Sequence, residues 1–172
     1  MAIEYGTVIQ NAFIVNDLEA AMHRWHATLG TGPFVVAEHI PMENVVYRGA
    51  EVDLDISAAL AQSGDMQIEL IQQHSDGPSC YRDQYAPGEE GFHHVAILCE
   101  DHKAVYRQYV DAGMVSATEF GSADHKIAYM DARASIGAMV ELYPDTDGIR
   151  GLYDMVRDIH KGWDGKKLVW TP

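Results

Sequence analysis

The chain has 172 residues, of which 47% are apolar and 22% are charged, a composition that excludes an intrinsically disordered protein. Its formal net charge of −14 argues against nucleic acid or an anionic membrane as the main partner, because both would repel it. Two cysteines do not make a disulfide framework, and the sequence pattern shows neither a signal peptide nor an apolar run that could span a bilayer. We therefore expect a cytoplasmic protein with one domain over residues 1–172.

The first half of the chain predicts one helix among several strands. Asp17 is a typical helix N-cap, Leu18 and Met22 follow it at helical spacing, and Gly30 ends the helical pattern. The predicted elements are a strand at 7–15, this helix, and further strands at 34–38, 45–48, 52–60 and 66–72. The strand at 52–60 alternates apolar and acidic residues, which predicts one solvated sheet face.

The second half restarts the same pattern after a loop. Residues 73–90 combine Pro, Gly, Ser and charges without periodicity, which indicates a linker. The predicted elements are then a strand at 92–99, a helix from about 101 to 112, and strands near 115–120, 125–131 and 138–143. A last helix ends near Gly162, and its single apolar stripe is formed by Ile149, Leu152, Val156 and Ile159. We assign module one to residues 7–72, module two to 91–144, and a C-terminal helical extension to 148–172.

The two modules repeat each other. Residues 10–17 and 94–101 are both apolar, strand-like runs that end in an aspartate before a helical pattern, and each module later carries a short apolar run with one glutamate inside. Each module reads as β-α-β-β-β, and neither can bury both its helix and its sheet alone. The sequence therefore predicts an α+β fold, in which two tandem βαβββ modules form a curved mixed sheet around a central cavity and a C-terminal helix is added.

Four matched positions in this repeat are candidate metal ligands: Gln10, Glu69, His94 and Glu141. A carboxylate within an apolar strand is costly to bury unless a metal ion or a basic residue neutralises it. The alternative is that each glutamate lies on a solvated sheet face. Strand alternation sends His93 and His94 to opposite faces, and the repeat selects His94, which leaves His93 as a packing or outer-shell residue.

An imidazole, two carboxylates and an amide oxygen form a mostly oxygen ligand set, so the expected cofactor is a divalent ion (Co, Ni, Mn, Mg, Fe or Zn) rather than a closed thiolate zinc site. Such a site can polarise a carbonyl and stabilise a developing enolate. Proton removal beside that carbonyl needs a base, and the candidates are Asp55 and Glu141. Asp55 can also be read as a solvated strand residue.

Over roughly residues 7–144 the chain resembles the vicinal oxygen chelate (glyoxalase/bleomycin resistance/dioxygenase) superfamily. The resemblance rests on the paired units and on short motifs, Asp-Leu-Glu-Ala-Ala-Met at 17–22, Ile-Glu-Leu at 68–70, Gly-Phe-His-His-Val-Ala at 91–96 and Val-Glu-Leu at 140–142. The turn at 30–34 is typical of the glyoxalase-like branch that includes methylmalonyl-CoA epimerase.

This resemblance implies a metal held by Gln10, Glu69, His94 and Glu141, and an epimerase-type base near Asp55. The family usually has a histidine at the first ligand position, where this chain has Gln10. Gln10 either binds the metal through its amide oxygen or leaves a three-ligand site.

Three functions follow as alternatives. The first is a metal-dependent isomerase, epimerase or lyase that acts on a small carbonyl or thioester substrate. The second is a metal-free protein that sequesters a small molecule, and the third is a ring-cleaving dioxygenase, which requires two histidines where the chain offers one. The expected partner is a small molecule, with no nucleic acid and no membrane, and a homodimer stays open.

Overall fold

The computed structural model describes residues 6–122 and 125–170. Its elements in chain order are β1 (Val8–Ile14), α1 (Leu18–Leu29), β2 (Phe34–Ala37), β3 (Val46–Tyr47), β4 (Ala50–Glu51), β5 (Ile56–Ser63), β6 (Met66–Gln73), β7 (Gly91–Cys99), α2 (His102–Asp111), β8 (Ser116–Ser122), β9 (His125–Met130), α3 (Arg133–Ile136), β10 (Met139–Pro144), α4 (Asp147–Lys161) and β11 (Val169–Trp170). The predicted α+β fold is thereby confirmed.

All the strands belong to one mixed sheet with the order β11-β2-β5-β6-β1-β7-β10-β9-β8-β3-β4. The first strand of each half lies parallel to the last strand of that half, β1 beside β6 and β7 beside β10. β1 and β7 then pair antiparallel with each other and join the two halves at the centre of the sheet. The repeat in the sequence is therefore a repeat in the topology.

The two repeated helices begin in the same way. The side chain of Asp17 accepts a hydrogen bond from the backbone N–H of Ala20, and the side chain of Asp101 accepts one from Ala104, both at 2.9 Å. Each bond satisfies a backbone N–H that has no partner within its helix, which stabilises the helix start by about 1 kcal/mol. α1 ends where predicted, at Gly30, whose φ of 69° favours glycine.

The repeated helices cover one face of the sheet, which we call the outer face. α1 packs against β5 and β6, where its partners include Ala59, Ala61 and Leu70. α2 packs through Val105 and Tyr109 against the outer-face residues of β7 and β10. The opposite face, the inner face, is therefore the one that carries the residues of odd number in β6 and β10.

β5 corrects the strand predicted at 52–60. It begins later, at Ile56, extends to Ser63, and is buried on both faces from Ile56 to Gln62. The solvated face predicted for it is wrong, because α1 covers its outer face and α4 covers its inner face. The alternating acidic residues precede the strand.

The segment between β2 and β5 connects the two halves a second time. Its hairpin, β3–β4, pairs with β8 at the far edge of the sheet. The guanidinium of Arg48 lies 2.6 Å from a carboxylate oxygen of Asp83 and 2.7 Å from one of Asp131, so it ties the hairpin to the linker and to the second half. The linker also contributes the fully buried Cys80 and Tyr81 to the core.

The C-terminal extension covers the inner face of the first half. α4 ends at Gly162, as predicted, and its Val156 packs against Val35 and Leu60. Of the predicted apolar stripe, Leu152 is 36% exposed. The extension also forms β11, which pairs with β2 and was not predicted. Among the described residues, no helix combines the length and apolar character required to cross a membrane.

Candidate metal centre

Two neighbouring rows of side chains meet on the inner face where the two halves join. In the first row, Ala12 of β1 lies between Glu69 of β6 and His94 of β7. Residues that lie opposite each other in a sheet point to the same side, so Glu69 and His94 face the same space. The small side chain of Ala12 leaves that space open between them.

The second row completes the set of matched positions. Gln10 of β1 lies opposite Gln67 of β6 on one side and Ala96 of β7 on the other, and Ala96 lies opposite Glu141 of β10. An alanine again occupies the middle of the row. The fold therefore brings the four residues singled out by the repeat onto one face of four adjacent strands.

Glu69, His94 and Glu141, which we call the inner triad, form a compact group. One ligand atom of each lies within 4.8 Å of the others. The Nε2 atom of His94 is 3.0 Å from Oε2 of Glu141 and 3.5 Å from Oε2 of Glu69. The exposed fractions of the three residues are 8%, 0% and 1% in chain order, so the triad is shielded from water.

Burial and mutual charge shift the ionisation of the triad. Burial, reinforced by the charge of Glu141, raises the pKa of Glu69 above its ordinary value, although His94 acts in the opposite direction. Burial alone would lower the pKa of His94, but the nearby carboxylates of Glu141 and Glu69 outweigh it and raise that pKa to about 9. In the free protein a proton on His94 therefore partly neutralises the two carboxylates.

That proton does not satisfy the site. Nε2 of His94 is close to a carboxylate oxygen of each glutamate, but neither contact has the geometry of a hydrogen bond, so Oε2 of Glu69, Nε2 of His94 and both carboxylate oxygens of Glu141 are buried without a hydrogen-bond partner. Unpartnered buried polar atoms are rare in folded proteins because each costs free energy. A divalent cation would accept lone pairs from all three side chains at once, so the residues present fit a metal ion.

Gln10 is oriented to offer an oxygen. It is 1% exposed, and its Nε2 donates to Oε1 of Gln67 at 2.7 Å. Its own Oε1 is then left buried and without a partner. Sequence reasoning did not assign Gln67 to the site, although strand alternation places Gln67 on the same face as Glu69.

His93 shows why strand alternation failed at one point. The pairing of β1 with β7 passes from Ala12–His94 directly to Phe13–Phe92, so His93 occupies a β-bulge and has no partner on β1. The prediction that the rings of His93 and His94 face opposite sides is therefore wrong. Both residues are fully buried, and their Nδ1 atoms are 2.9 Å apart.

This contact determines how His94 presents its ring. The Nε2 of His93 lies 3.0 Å from the backbone carbonyl oxygen of Cys80 and must donate to it, because a carbonyl oxygen only accepts. Burial, with the charge of His94, lowers the pKa of His93 to about 3, so this ring stays neutral and its Nδ1 accepts. His94 therefore donates from Nδ1, which turns Nε2 toward the two carboxylates and makes Nε2 the nitrogen whose proton a bound cation would replace.

The wall beside the triad is aromatic. The ring of Tyr129 meets the ring of His94 edge-on, with 5.0 Å between centroids. The hydroxyl groups of Tyr129 and Tyr81 lie 3.3 Å apart, and burial raises the pKa of both well above the ordinary value. This wall excludes water, so charges at the triad interact in a medium of low polarity.

The structure does not bring Asp55 to the triad. Asp55 precedes β5, and the residue of β5 that lies opposite Glu69 is Leu60. Asp55 is five residues before Leu60, which places it about 16 Å from the level of Glu69 at about 3.3 Å per residue. The Asp55 carboxylate instead contacts Nδ1 of His39 at 2.8 Å. Together with His74 these residues form a second, solvent-accessible group of metal-type side chains, which we call the outer triad.

Comparisons with known proteins agree with the topology. A family model described as the Glyoxalase/Bleomycin resistance protein/Dioxygenase superfamily matches residues 9–129 of the chain. A search of curated proteins found no match to the chain.

Among solved structures, similarity extends to methylmalonyl-CoA epimerase from Mycobacterium tuberculosis, with a TM-score of 0.54 and 17% identity over 88% of this chain and 96% of that one. For Streptomyces coelicolor methylmalonyl-CoA epimerase, an E43Q variant in complex with 2-nitronate-propionyl-CoA, the TM-score is 0.54 and the sequence identity is 19%. The match covers 83% of this chain and 99% of that one. For a hypothetical protein from Bacillus halodurans C-125, the TM-score is 0.54 and the sequence identity is 17%, over 83% of this chain and 96% of that one. At these identities the likeness shows a shared fold.

Proposed function

The chain belongs to the glyoxalase/bleomycin resistance protein/dioxygenase superfamily, and from that premise we propose that it is a metal-dependent isomerase, epimerase or lyase that transfers a proton beside a carbonyl group. The observation that carries the proposal is the inner triad, whose ligand atoms are buried, lie within 4.8 Å of one another and lack hydrogen-bond partners. A protein that needed only a stable core would gain nothing from this arrangement.

We assign the metal to Glu69, His94 and Glu141, with the amide oxygen of Gln10 as a fourth ligand. A divalent cation bound there would polarise a carbonyl oxygen of the substrate and stabilise the negative charge that develops on it. His93 holds the ring of His94 in the required tautomer, and the aromatic wall keeps water away from the reacting groups.

We assign the base to Glu141. One of its oxygens, Oε2, lies close to His94, and the other, Oε1, is buried without a partner. This second oxygen can accept the proton from the carbon beside the substrate carbonyl and return it to the same or another atom. Asp55 receives no role in this scheme, because its carboxylate is engaged with His39.

The proposed substrate is a small carbonyl compound or thioester. The structural relative from Streptomyces coelicolor was solved with 2-nitronate-propionyl-CoA, which makes thioesters the first class to test. The cytoplasmic location and the homodimer stay predictions from the sequence.

Two alternatives are less consistent with the geometry. A ring-cleaving dioxygenase of the type considered from the sequence requires a second histidine, and His93 uses both ring nitrogens in contacts with Cys80 and His94. A sequestering protein without metal would have to bury the two glutamates for no return, since His94 alone leaves their oxygens unpartnered.

The proposal is tested by deuterium exchange from D₂O. Protein loaded with cobalt(II) is incubated with a panel of 2-substituted thioesters and 2-substituted carbonyl acids, and incorporation beside the carbonyl is followed by mass spectrometry. We expect exchange with at least one class, loss of exchange after chelation, and a loss of at least 100-fold in Glu141→Gln.

The matched control is Glu119→Gln, the same chemical change at a partly exposed glutamate on β8, which should exchange at the wild-type rate. Absence of exchange across the whole panel, or equal rates for Glu141→Gln and the wild type, would overturn the assignment of proton transfer to this site.

A further inference from the structure

α4 closes a small cleft against the inner face of the sheet, beside the inner triad. The cleft has a volume of about 210 Å³ and lies between α4 and the β5–β6 hairpin. Its lining includes Gln62 and Gln67 from the hairpin and Tyr153 from α4. Neither α4 nor Tyr153 belongs to the repeated modules, so this wall is an addition to the duplicated fold.

Two of the residues that line this cleft carry a hydrogen-bond donor that has no acceptor. Nε2 of Gln67 and the hydroxyl oxygen of Tyr153 are both buried and without a hydrogen-bond partner. Gln67 as a whole is 0% exposed, so water does not satisfy its amide. Leaving buried donors unpaired costs free energy, and a folded protein rarely carries two of them on residues that line one cleft without a use for them.

The two donors lie close to the triad. Gln67 and Glu69 are on the same face of β6, two residues apart, which is about 6.6 Å along a strand. The charges of Glu141 and Glu69 add to burial in raising the pKa of Tyr153, so its hydroxyl lies within electrostatic reach of both carboxylates. The ring of Tyr153 also contacts the ring of Tyr143 at the end of β10, 6.1 Å between centroids.

The unpartnered atoms divide into two kinds. The triad and Gln10 offer acceptors, which suit a cation, whereas Gln67 and Tyr153 offer N–H and O–H donors, which suit an oxygen of a ligand. Donors that are fixed beside a cation are the arrangement that binds a carboxylate.

We propose that Gln67 and Tyr153 form a donor pair that binds the carboxylate of a small acid in the cleft beneath α4. The inference rests on the proposed function for the other end of this ligand, a carbonyl or second carboxylate that reaches the metal at the inner triad. The cleft is equal in volume to about seven water molecules at roughly 30 Å³ each, so the group bound there is small.

Two arginines of α4 line the cleft together with the carboxylates of Asp65 and Asp154, so the charges of the lining balance and the arginines do not supply the site by themselves. Arg150 is paired with Asp145, and Arg157 is paired with Asp154. Their charges are therefore largely balanced by their own partners, and the specific contacts to the carboxylate fall to Gln67 and Tyr153.

The test uses cobalt(II) and malonate as probes, with acetate as a second anion. Calorimetry first measures cobalt(II) binding to the wild type, to Tyr153→Phe and to Gln67→Glu, which keeps the oxygen that accepts from Gln10 but lacks the N–H donor. It then measures malonate binding to each loaded protein. We expect cobalt(II) to bind all three, malonate to bind the wild type better than acetate does, and malonate affinity to fall at least 10-fold in each variant.

A stability measurement distinguishes this role from a structural one. The Tyr153 hydroxyl has no partner in the free protein, so Tyr153→Phe should leave the Tm unchanged or raise it. Tyr106→Phe, the same change on α2 outside the cleft, should leave malonate affinity within twofold of the wild type. A lowered Tm in Tyr153→Phe with unchanged malonate affinity would show that the hydroxyl serves packing alone, and would overturn the inference.

The failure of this inference is distinguishable from the failure of the proposed function. If cobalt(II) binds but malonate does not, or binds equally to the wild type and both variants, the donor pair is disproved and the metal centre stands. If cobalt(II) does not bind, the proposed function fails, and malonate binding is then measured by NMR in metal-free Glu69→Gln, which has one carboxylate fewer. Binding there that Tyr153→Phe weakens supports the donor pair, and absent or unaffected binding overturns it.

Discussion

The inner and outer triads are both built from imidazole and carboxylate side chains, but in opposite surroundings. The inner triad, Glu69, His94 and Glu141, is buried, whereas the outer triad contains two exposed residues and the half-buried Asp55. In the outer triad, both carboxylate oxygens of Asp55 lie within 2.9 Å of Nδ1 of His39. In the inner triad Nε2 of His94 lies 3.0 Å from a carboxylate oxygen of Glu141 and 3.5 Å from one of Glu69, but four atoms of the triad are without a hydrogen-bond partner.

The difference shows that ligand type and spacing do not by themselves make a metal centre. Solvent and neighbouring groups satisfy the outer triad at little cost, as Ser57 does for His74 at 2.7 Å. Burial removes that option from the inner triad, because two carboxylates cannot share one protonated imidazole without leaving oxygens unpaired. The inner triad is therefore the group whose unpartnered atoms a bound cation would satisfy, whereas the outer triad is satisfied by solvent and neighbouring groups.

The largest expected effect is on metal affinity. Glu141→Gln and His94→Ala should each weaken cobalt(II) binding at least 100-fold, about 2.7 kcal/mol, because each removes a ligand from a buried set of three. The double variant His39→Ala with His74→Ala should leave the tight site within twofold. Competition with a chelator of known affinity measures both.

The opposite ranking would break the comparison. If the double variant at the outer triad lost the tightly bound metal and Glu141→Gln retained it, the exposed group would be the metal centre and burial would have no bearing on occupancy.

The residues of the inner triad could be predicted from the sequence, whereas the outer triad could not, and the limits have physical causes. The repeat identified Gln10, Glu69, His94 and Glu141 because strand parity and matched order depend on local pattern alone, and the structure places all four on one face. Asp55 came instead from the alternating strand predicted at 52–60 and from the family resemblance, and the alternation could not show that the strand begins only at Ile56.

Two further features depended on tertiary structure. The bulge at His93 is a one-residue shift in the pairing of β7 with β1, which no pattern within β7 reveals. Tyr153 reaches the inner face because α4 folds back over β5, and the apolar stripe of α4 predicts burial without saying against which surface.

The second prediction concerns pH and the metal-free protein. His94 has a pKa of about 9 in the folded state and about 6.5 when unfolded, so its protonation stabilises the fold fully below pH 6.5. That contribution is lost as pH rises from 6.5 through about 9, and we expect the free energy of unfolding to fall by on the order of 3 kcal/mol. Chemical denaturation at successive pH values measures it.

Variants of the two triads sharpen this prediction. His94→Gln should remove the loss of stability between pH 6.5 and 9, whereas His39→Gln should retain it. Cobalt(II) at saturation should also remove it, since the cation replaces the proton on His94. A metal-free wild type whose stability is flat over this range would contradict the charge arrangement derived for the inner triad.

A third prediction separates direct ligands from their support. His93→Phe removes the acceptor that orients His94, and we expect cobalt(II) affinity to fall about 10-fold, the lower end of the range for such partners. The counterpart at the outer triad is Ser57→Ala, which removes the oxygen beside His74 and should leave cobalt(II) affinity unchanged. An equal effect of both changes would indicate general loosening of the fold rather than control of the His94 ring.

The smallest effect is expected at Asp55. Asp55→Asn breaks a partly exposed pair with His39, in which the side chain of Asp55 is 41% exposed and that of His39 is 65% exposed. Exposed pairs of this kind contribute about 0.2–1 kcal/mol to the free energy of unfolding. We expect the free energy of unfolding to change by less than about 0.5 kcal/mol, with cobalt(II) affinity and deuterium exchange at wild-type levels, because the position lies about 16 Å from Glu69 along the sheet.

Loss of exchange in Asp55→Asn with cobalt(II) still bound would identify Asp55 as the base, as the sequence suggested. The segment before β5 would then have to move across the inner face when substrate binds. Retained exchange, together with its loss in Glu141→Gln, would place the proton transfer within the buried group and leave the outer triad as a surface cluster of ordinary polarity.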